Sequence, residues 1–265
     1  PAERVATGAS TLAVAPSESA ISYHTHPDYD SLTAVAAICQ RDPSAVVALA
    51  DGDVDRPADL DGRTYASYDA RFEDDIVRRL VRADGGAGDV EFVTPPKLGI
   101  WETVVEGDAD ATWVFVPWEG LLAEREGIDL TPFHLDDYDI PYGYTPVLLA
   151  RPERVAGDAT ALSTFLDATR RGYEFAAEEP AAAAERLADG AEGPHLDDRA
   201  FLAESQRRLA DALLNGNGRW GAMEESRWSS FVEWLAADGV LRSVDGERLD
   251  ASAVDVDALY TDELL

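Results

Sequence analysis

The stretch Thr112-Trp113-Val114-Phe115-Val116-Pro117-Trp118-Glu119-Gly120-Leu121-Leu122-Ala123-Glu124-Arg125 decides how the fold is read. Its β-branched and aromatic start predicts a strand over 112–116, and a helix follows over 119–125. The same alternation continues on both sides. Upstream, strands are expected over 46–49, 63–67 and 90–93, with helices over 71–82 and 98–106. Gly85-Gly86 and Gly107 stop those helices, and Pro57-Ala58-Asp59-Leu60-Asp61-Gly62 reads as a turn and short helix entering a strand. Downstream comes a strand over 147–150. Such alternation predicts an α/β fold with mostly parallel strands. Past Arg151 the pattern becomes helical. Leu162, Phe165, Leu166, Thr169, Tyr173 and Ala176 recur every three or four residues on one face of a helix ending near Glu179-Pro180. Further helices are expected over 181–189, 199–214 and 223–238, the last carrying Trp228, Phe231, Val232, Trp234 and Leu235 before a Gly239 stop.

The 265 residues are 46% hydrophobic, enough for a substantial core. The longest apolar runs, at 45–50 and 113–118, fall far short of the ~18–20 residues that span a bilayer. The formal charge of −30 repels phosphate backbones and anionic lipid, and Arg78, Arg79, Arg82, Arg170 and Arg171 sit in acidic surroundings. Nucleic-acid binding is therefore not expected. Lys97 is the single lysine; surplus Asp with Arg replacing Lys is the surface expected of a halophilic protein. Cys39 stands alone in an apolar run, which excludes an internal disulfide and points to a small buried side chain. Pro1-Ala2-Glu3-Arg4 opens an amphipathic segment without a signal peptide, so either a cytosolic protein or a chain starting after a leader is expected.

Gly216-Asn217-Gly218-Arg219-Trp220-Gly221 satisfies GxGxxG literally, but a helix precedes it where a dinucleotide site needs a strand, so a helix stop and turn is expected. His24 and His26 have the spacing of neighbours on a strand face, yet no third ligand stands at a recognised spacing and Pro27 interrupts the segment, which favours a loop. His134 and His195 are isolated, and HExxH, GxSxG and GKS/T are absent. What stands out is an aromatic, carboxylate-rich series: Trp101, Trp113, Phe115, Trp118, Glu119, Tyr138, Tyr142 and Tyr144. Trp113 and Phe115 suit an ordinary strand core. Trp118 and Glu119 follow a strand's carboxyl end, where open α/β sheets bind ligands, and an aromatic face beside a carboxylate suits a flat, nitrogen-rich ring.

At these residues the chain resembles a family. The segments 31–44, 57–68, 113–123, Tyr144-Thr145-Pro146-Val147 and Gly172-Tyr173-Glu174-Phe175-Ala176 resemble the solute-binding proteins of ABC importers for thiamine-pyrimidine precursors, a fold shared with fungal hydroxymethylpyrimidine phosphate synthase. The likeness continues in order through Leu202-Ala203-Glu204-Ser205-Gln206, Trp220-Gly221, Trp228 and Trp234 to the end of the chain. It implies a type II periplasmic-binding-protein fold: two α/β lobes with a hinge near 46–50 and 145–150, and a helical C-terminal region. Lobe one would comprise 1–55 and 147–265, and lobe two 56–146. By the same resemblance the ligand-binding residues would be Glu18, Ser67, Tyr68, Trp118, Tyr144 and Glu174, with Trp113 a lesser candidate beside the Glu119 already singled out. The implied ligand is an aminopyrimidine such as hydroxymethylpyrimidine or formylaminopyrimidine. No cofactor or metal is implied, and the partners would be a permease and its ATPase, with the protein a monomer at the outer face of the membrane.

The sequence departs from the family in three places. Nothing corresponds to the strand and polar loop that would precede Pro1. Tyr68 replaces a tryptophan, and Asp69 and Ala70 replace a glycine and a serine. Two alternatives stay open: an enzyme like the pyrimidine synthase, which would use pyridoxal phosphate on a lysine, a histidine and a cysteine-rich iron motif, against Lys97 and Cys39 here; or a binding protein for a sulfonate, nitrate or other small solute.

Overall fold

The computed structural model describes residues 1–29, 31–95 and 101–265, and the chain folds as two units, Pro1–Asp42 with Gly143–Leu265 and Pro43–Tyr142. The chain leaves the first unit at Asp42–Pro43 and returns at Tyr142–Gly143. The second unit thus begins at Pro43, ahead of residue 56.

The first unit opens with α1 (Ala2–Ala6), β1 (Ala13–Ala15), α2 (Ser17–His24) and β2 (Thr33–Ala37). His24 closes α2, so it shares no strand face with His26. The second unit contains β3 (Ser44–Leu49), β4 (Thr64–Ala66), α3 (Glu73–Ala83), β5 (Glu91–Val93), α4 (Trp101–Val105), β6 (Ala111–Phe115), α5 (Leu121–Arg125) and β7 (Leu130–Phe133). Lys97 and the start of the helix expected over 98–106 lie outside the described residues. The chain then completes the first unit with β8 (Val147–Ala150), α6 (Pro152–Gly157), α7 (Ala159–Glu178), α8 (Pro180–Gly190), α9 (Arg199–Leu213), α10 (Glu225–Ala237) and α11 (Val256–Leu259). Pro180 opens α8 where its missing N–H costs nothing, and the Asp198 carboxylate caps α9 by accepting from Phe201 N–H at 2.9 Å.

The expectation of mostly parallel strands is corrected. In the second unit the order is β5-β4-β6-β3-β7: β4 is parallel to β5 and β6, but β3 is antiparallel to β6 and β7. In the first unit β8 lies between β1 and β2 and is antiparallel to both. The reason is topological. The two strands that enter a unit just after the chain has crossed, β3 and β8, insert between strands running the other way. β3, expected as a hinge strand, is therefore paired on both sides within one sheet.

Each unit has its own core. In the first, Val35, Ile38, Leu148, Leu162, Leu166, Leu213 and Trp220 pack together. The Trp220 ring stacks on Tyr173 at 5.0 Å and 6°, and its Nε1–H donates to Ile38 O at 3.1 Å. Phe165, expected on the apolar face of α7, is 47% exposed, whereas Leu162, Leu166, Tyr173 and Ala176 of that face pack against the core. In the second unit Ala45, Val47 and Val114 cover one sheet face together with Trp101 and Ala123.

Candidate functional site

The parallel pairing of β4 and β6 places their carboxyl ends on one edge. Ala66 stands opposite Thr112, whose Oγ1 donates to Ala66 O at 2.9 Å. Beyond β4, residues 67–72 form a loop leading to Glu73, the first residue of α3. Beyond β6, Val116–Gly120 forms one turn of π-helix before α5. Such single turns recur at functional sites because they aim side chains that a regular helix would not.

Four of the expected residues stand on this edge: Ser67, Tyr68, Trp118 and Glu119. The Ser67 hydroxyl is committed within the loop, donating to Asp74 Oδ1 at 2.7 Å and accepting from Asp69 N–H at 3.0 Å. Asp69 has a left-handed φ of 59°, which bends the loop back. The Tyr68 residue is 43% exposed, and burial of its hydroxyl end beside the carboxylates of Glu119 and Glu73 pushes its pKa up. Glu119 accepts from Phe115 N–H at 2.9 Å, and burial raises its carboxyl above the ordinary glutamate range. The edge therefore presents an open phenol ring and a partly desolvated carboxylate. An amino group on a flat ring could meet both.

Trp113 lies on the sheet face rather than at its end. Its Nε1–H donates to Ser44 Oγ at 2.6 Å, and the Tyr142 ring lies 5.5 Å away. The other expected residues belong to the first unit. Glu18 is 6% exposed in the first turn of α2, and the preceding Ser17 N–H donates to Tyr144 O at 2.9 Å, which brings these two candidates close. The Tyr144 ring has the Arg227 guanidinium 4.4 Å over it, and its hydroxyl accepts from Glu224 N–H at 2.9 Å. Tyr144 also lines a cavity of about 440 Å³ with Gln40, Arg41, Asn215, Glu224 and Arg227. Glu174 is on α7, with both oxygens accepting from Arg170 at 2.9 and 3.2 Å.

Glu73 was not singled out from the sequence. It is 3% exposed and accepts from Tyr68 N–H, Ala70 N–H and Tyr65 OH. Burial pushes its carboxyl up while these three donors oppose the shift. Its sequence signal, an acid opening a helix after a Ser-Tyr-Asp-Ala turn, is common to many helix starts.

Elsewhere, Gly216–Gly221 is a turn after α9. Asn215 Oδ1 accepts from Asn217 and Arg219 N–H, both at 3.0 Å, leaving a capped loop in place of a phosphate cradle. Cys39 is buried, which pushes its thiol up to about 12 and keeps it protonated. Among the described residues no group of three or more His, Cys, Asp or Glu side chains is placed to hold a metal ion.

The sequence profile of the NMT1/THI5-like family matches residues 1–183. The formylaminopyrimidine-binding protein of Halalkalibacterium halodurans is 28% identical over 210 residues, covering 78% of this chain and 63% of that protein. This chain thus spans less than two thirds of that relative's length. Among solved structures, the alkanesulfonate-binding protein SsuA from Xanthomonas axonopodis pv. citri, bound to MOPS, superposes with a TM-score of 0.68 at 14% identity, over 96% of this chain and 83% of that one. The periplasmic aliphatic sulphonate-binding protein SsuA from Escherichia coli gives 0.61 at 13% identity, over 95% and 77%. At such identities the likeness establishes the fold, that of the periplasmic binding proteins.

Proposed function

We propose, because this chain belongs to the NMT1/THI5-like family, that it is the solute-binding component of an ABC importer and that its ligand is an aminopyrimidine precursor of thiamine. The observation that carries this reading is the edge formed by the ends of β4 and β6, where the open Tyr68 ring stands beside the desolvated Glu119 carboxylate. A pyrimidine laid on the ring gains burial plus ~0.5–1.5 kcal/mol of stacking. Its exocyclic amino group, donating to Glu119, replaces the solvation that burial has taken from the carboxylate. Trp118, in the same π-turn, supplies a second aromatic surface. Glu18, Tyr144 and Glu174 are proposed as ligand-binding residues of the first unit.

The relative named for formylaminopyrimidine binding supports the ligand class. Capture without chemistry also suits Cys39, whose thiol stays protonated and buried. An importer's binding protein works outside the cytoplasmic membrane and delivers its solute to a permease driven by an ATPase. No helix among the described residues is long and apolar enough to cross a membrane.

The test is mass spectrometry of small molecules released from natively purified full chain, followed by titration calorimetry with formylaminopyrimidine and hydroxymethylpyrimidine. Saturable micromolar binding of one is expected. A folded protein giving no heat with either overturns the ligand assignment.

A further inference from the structure

Four successive backbone donors of the loop between β4 and α3, those of residues 67–70, are already engaged within the chain. Ser67 N–H donates to Val93 O at 2.8 Å and Asp69 N–H to Ser67 Oγ at 3.0 Å. Tyr68 N–H donates to both oxygens of Glu73, at 3.1 and 3.0 Å, and Ala70 N–H to Glu73 Oε2 at 3.3 Å. Tyr65 OH adds a third donor to the same carboxylate at 3.0 Å. A strand-to-helix turn of this kind is where backbone amides and a helix N-terminus ordinarily hold a bound anion. Here the chain supplies the anion itself, from the first residue of an eleven-residue helix.

We propose that Glu73 is a built-in anion plug that sets the charge class of the ligand, admitting neutral or cationic rings that carry N–H donors and excluding sulfonates and similar anions at the end of β4. The proposal rests on the reading that the ligand sits on this edge. The surroundings act in the same direction. Asp69, Asp74 and Glu119 are on the same edge, while the cation of the loop, Arg71, has its guanidinium over the Phe72 ring at 5.2 Å. An incoming sulfonate would meet carboxylates and amides already engaged. An aminopyrimidine would meet acceptors.

The test compares wild type, Glu73→Ser and Glu73→Gln by titration with MOPS as the sulfonate probe and with formylaminopyrimidine. Wild type is expected to give no saturable MOPS heat at millimolar concentration. Glu73→Ser, which removes the charge and releases Tyr68 and Ala70 N–H, is expected to gain MOPS affinity about tenfold or more. Glu73→Gln keeps the length and one acceptor, and is expected to fall between the two. Wild-type MOPS binding in the micromolar range, or folded variants binding MOPS no better than wild type, overturns the plug. Failure of both variants to fold also overturns it, because Glu73 would then be scaffold and not a selector. The two readings fail separately: a MOPS gain without any formylaminopyrimidine binding sinks the ligand assignment and leaves the plug intact.

Discussion

Replacing Tyr68 by alanine tests the proposed edge most directly. The residue is 43% exposed, and its backbone N–H is held by Glu73, so the loop keeps its main anchor when the ring is removed. An aromatic side chain offers roughly 200 Å², so the exposed share is roughly 90 Å². Covering it with a flat ligand at ~25 cal/mol per Å² contributes ~2 kcal/mol, and stacking adds ~0.5–1.5 kcal/mol. Because the ligand leaves part of the ring wet, Tyr68→Ala is expected to cost about 1.5–3 kcal/mol, which weakens Kd about 10- to 150-fold. Tyr68→Phe keeps the ring face and is expected to stay within about threefold of wild type, well under the ~1.4 kcal/mol that a tenfold loss represents. Titration calorimetry with formylaminopyrimidine measures both, and thermal melts control for folding. If Tyr68→Ala binds within about twofold of wild type while melting normally, the ring is no platform and the edge is not the site.

Trp220→Ala should cost ~3–5 kcal/mol of the first unit's stability, whereas Trp220→Phe keeps a ring against Tyr173 and loses about 1 kcal/mol for the bond to Ile38 O. Equal shifts of the denaturation midpoint in the two variants would refute the packing argument. Burial raises the Glu119 pKa, so the folded chain holds that proton more tightly than the unfolded one, and stability falls as pH rises from the ordinary glutamate value of ~4.3 through the raised value. Glu119→Gln retains an acceptor for Phe115 N–H and should therefore gain on wild type above that window; parallel stability-versus-pH curves would contradict this. With a net charge of −30, the melting temperature should climb as salt shortens the Debye length from ~10 Å at ~0.1 M to ~3 Å at ~1 M, the response expected of a salt-adapted surface. A flat or falling melting curve in potassium chloride would remove that reading.

What the sequence determined by itself is local. The strands at β3, β4, β5, β6 and β8, the long helices after Arg151, and the turn at Gly216–Gly221 were legible because residue periodicity and turn chemistry act over a few neighbours. The placement of Tyr68, Trp118 and Glu119 just beyond strand ends was legible for the same reason. β1 is three apolar residues with Val14 turned outward, and the Ala-rich β2 is buried on both faces, so neither carries an alternation of polar and apolar residues to read. Strand order and direction were decided only by the tertiary structure, since a strand's own side chains do not record which neighbour it will find or which way that neighbour runs. The same holds for the state of the site. That Tyr144 lies under Arg227, and that Glu73 gathers the Tyr65 hydroxyl and the loop amides after β4, depend on which groups the fold brings together, over distances at which hydrogen bonds and buried charges change strength steeply.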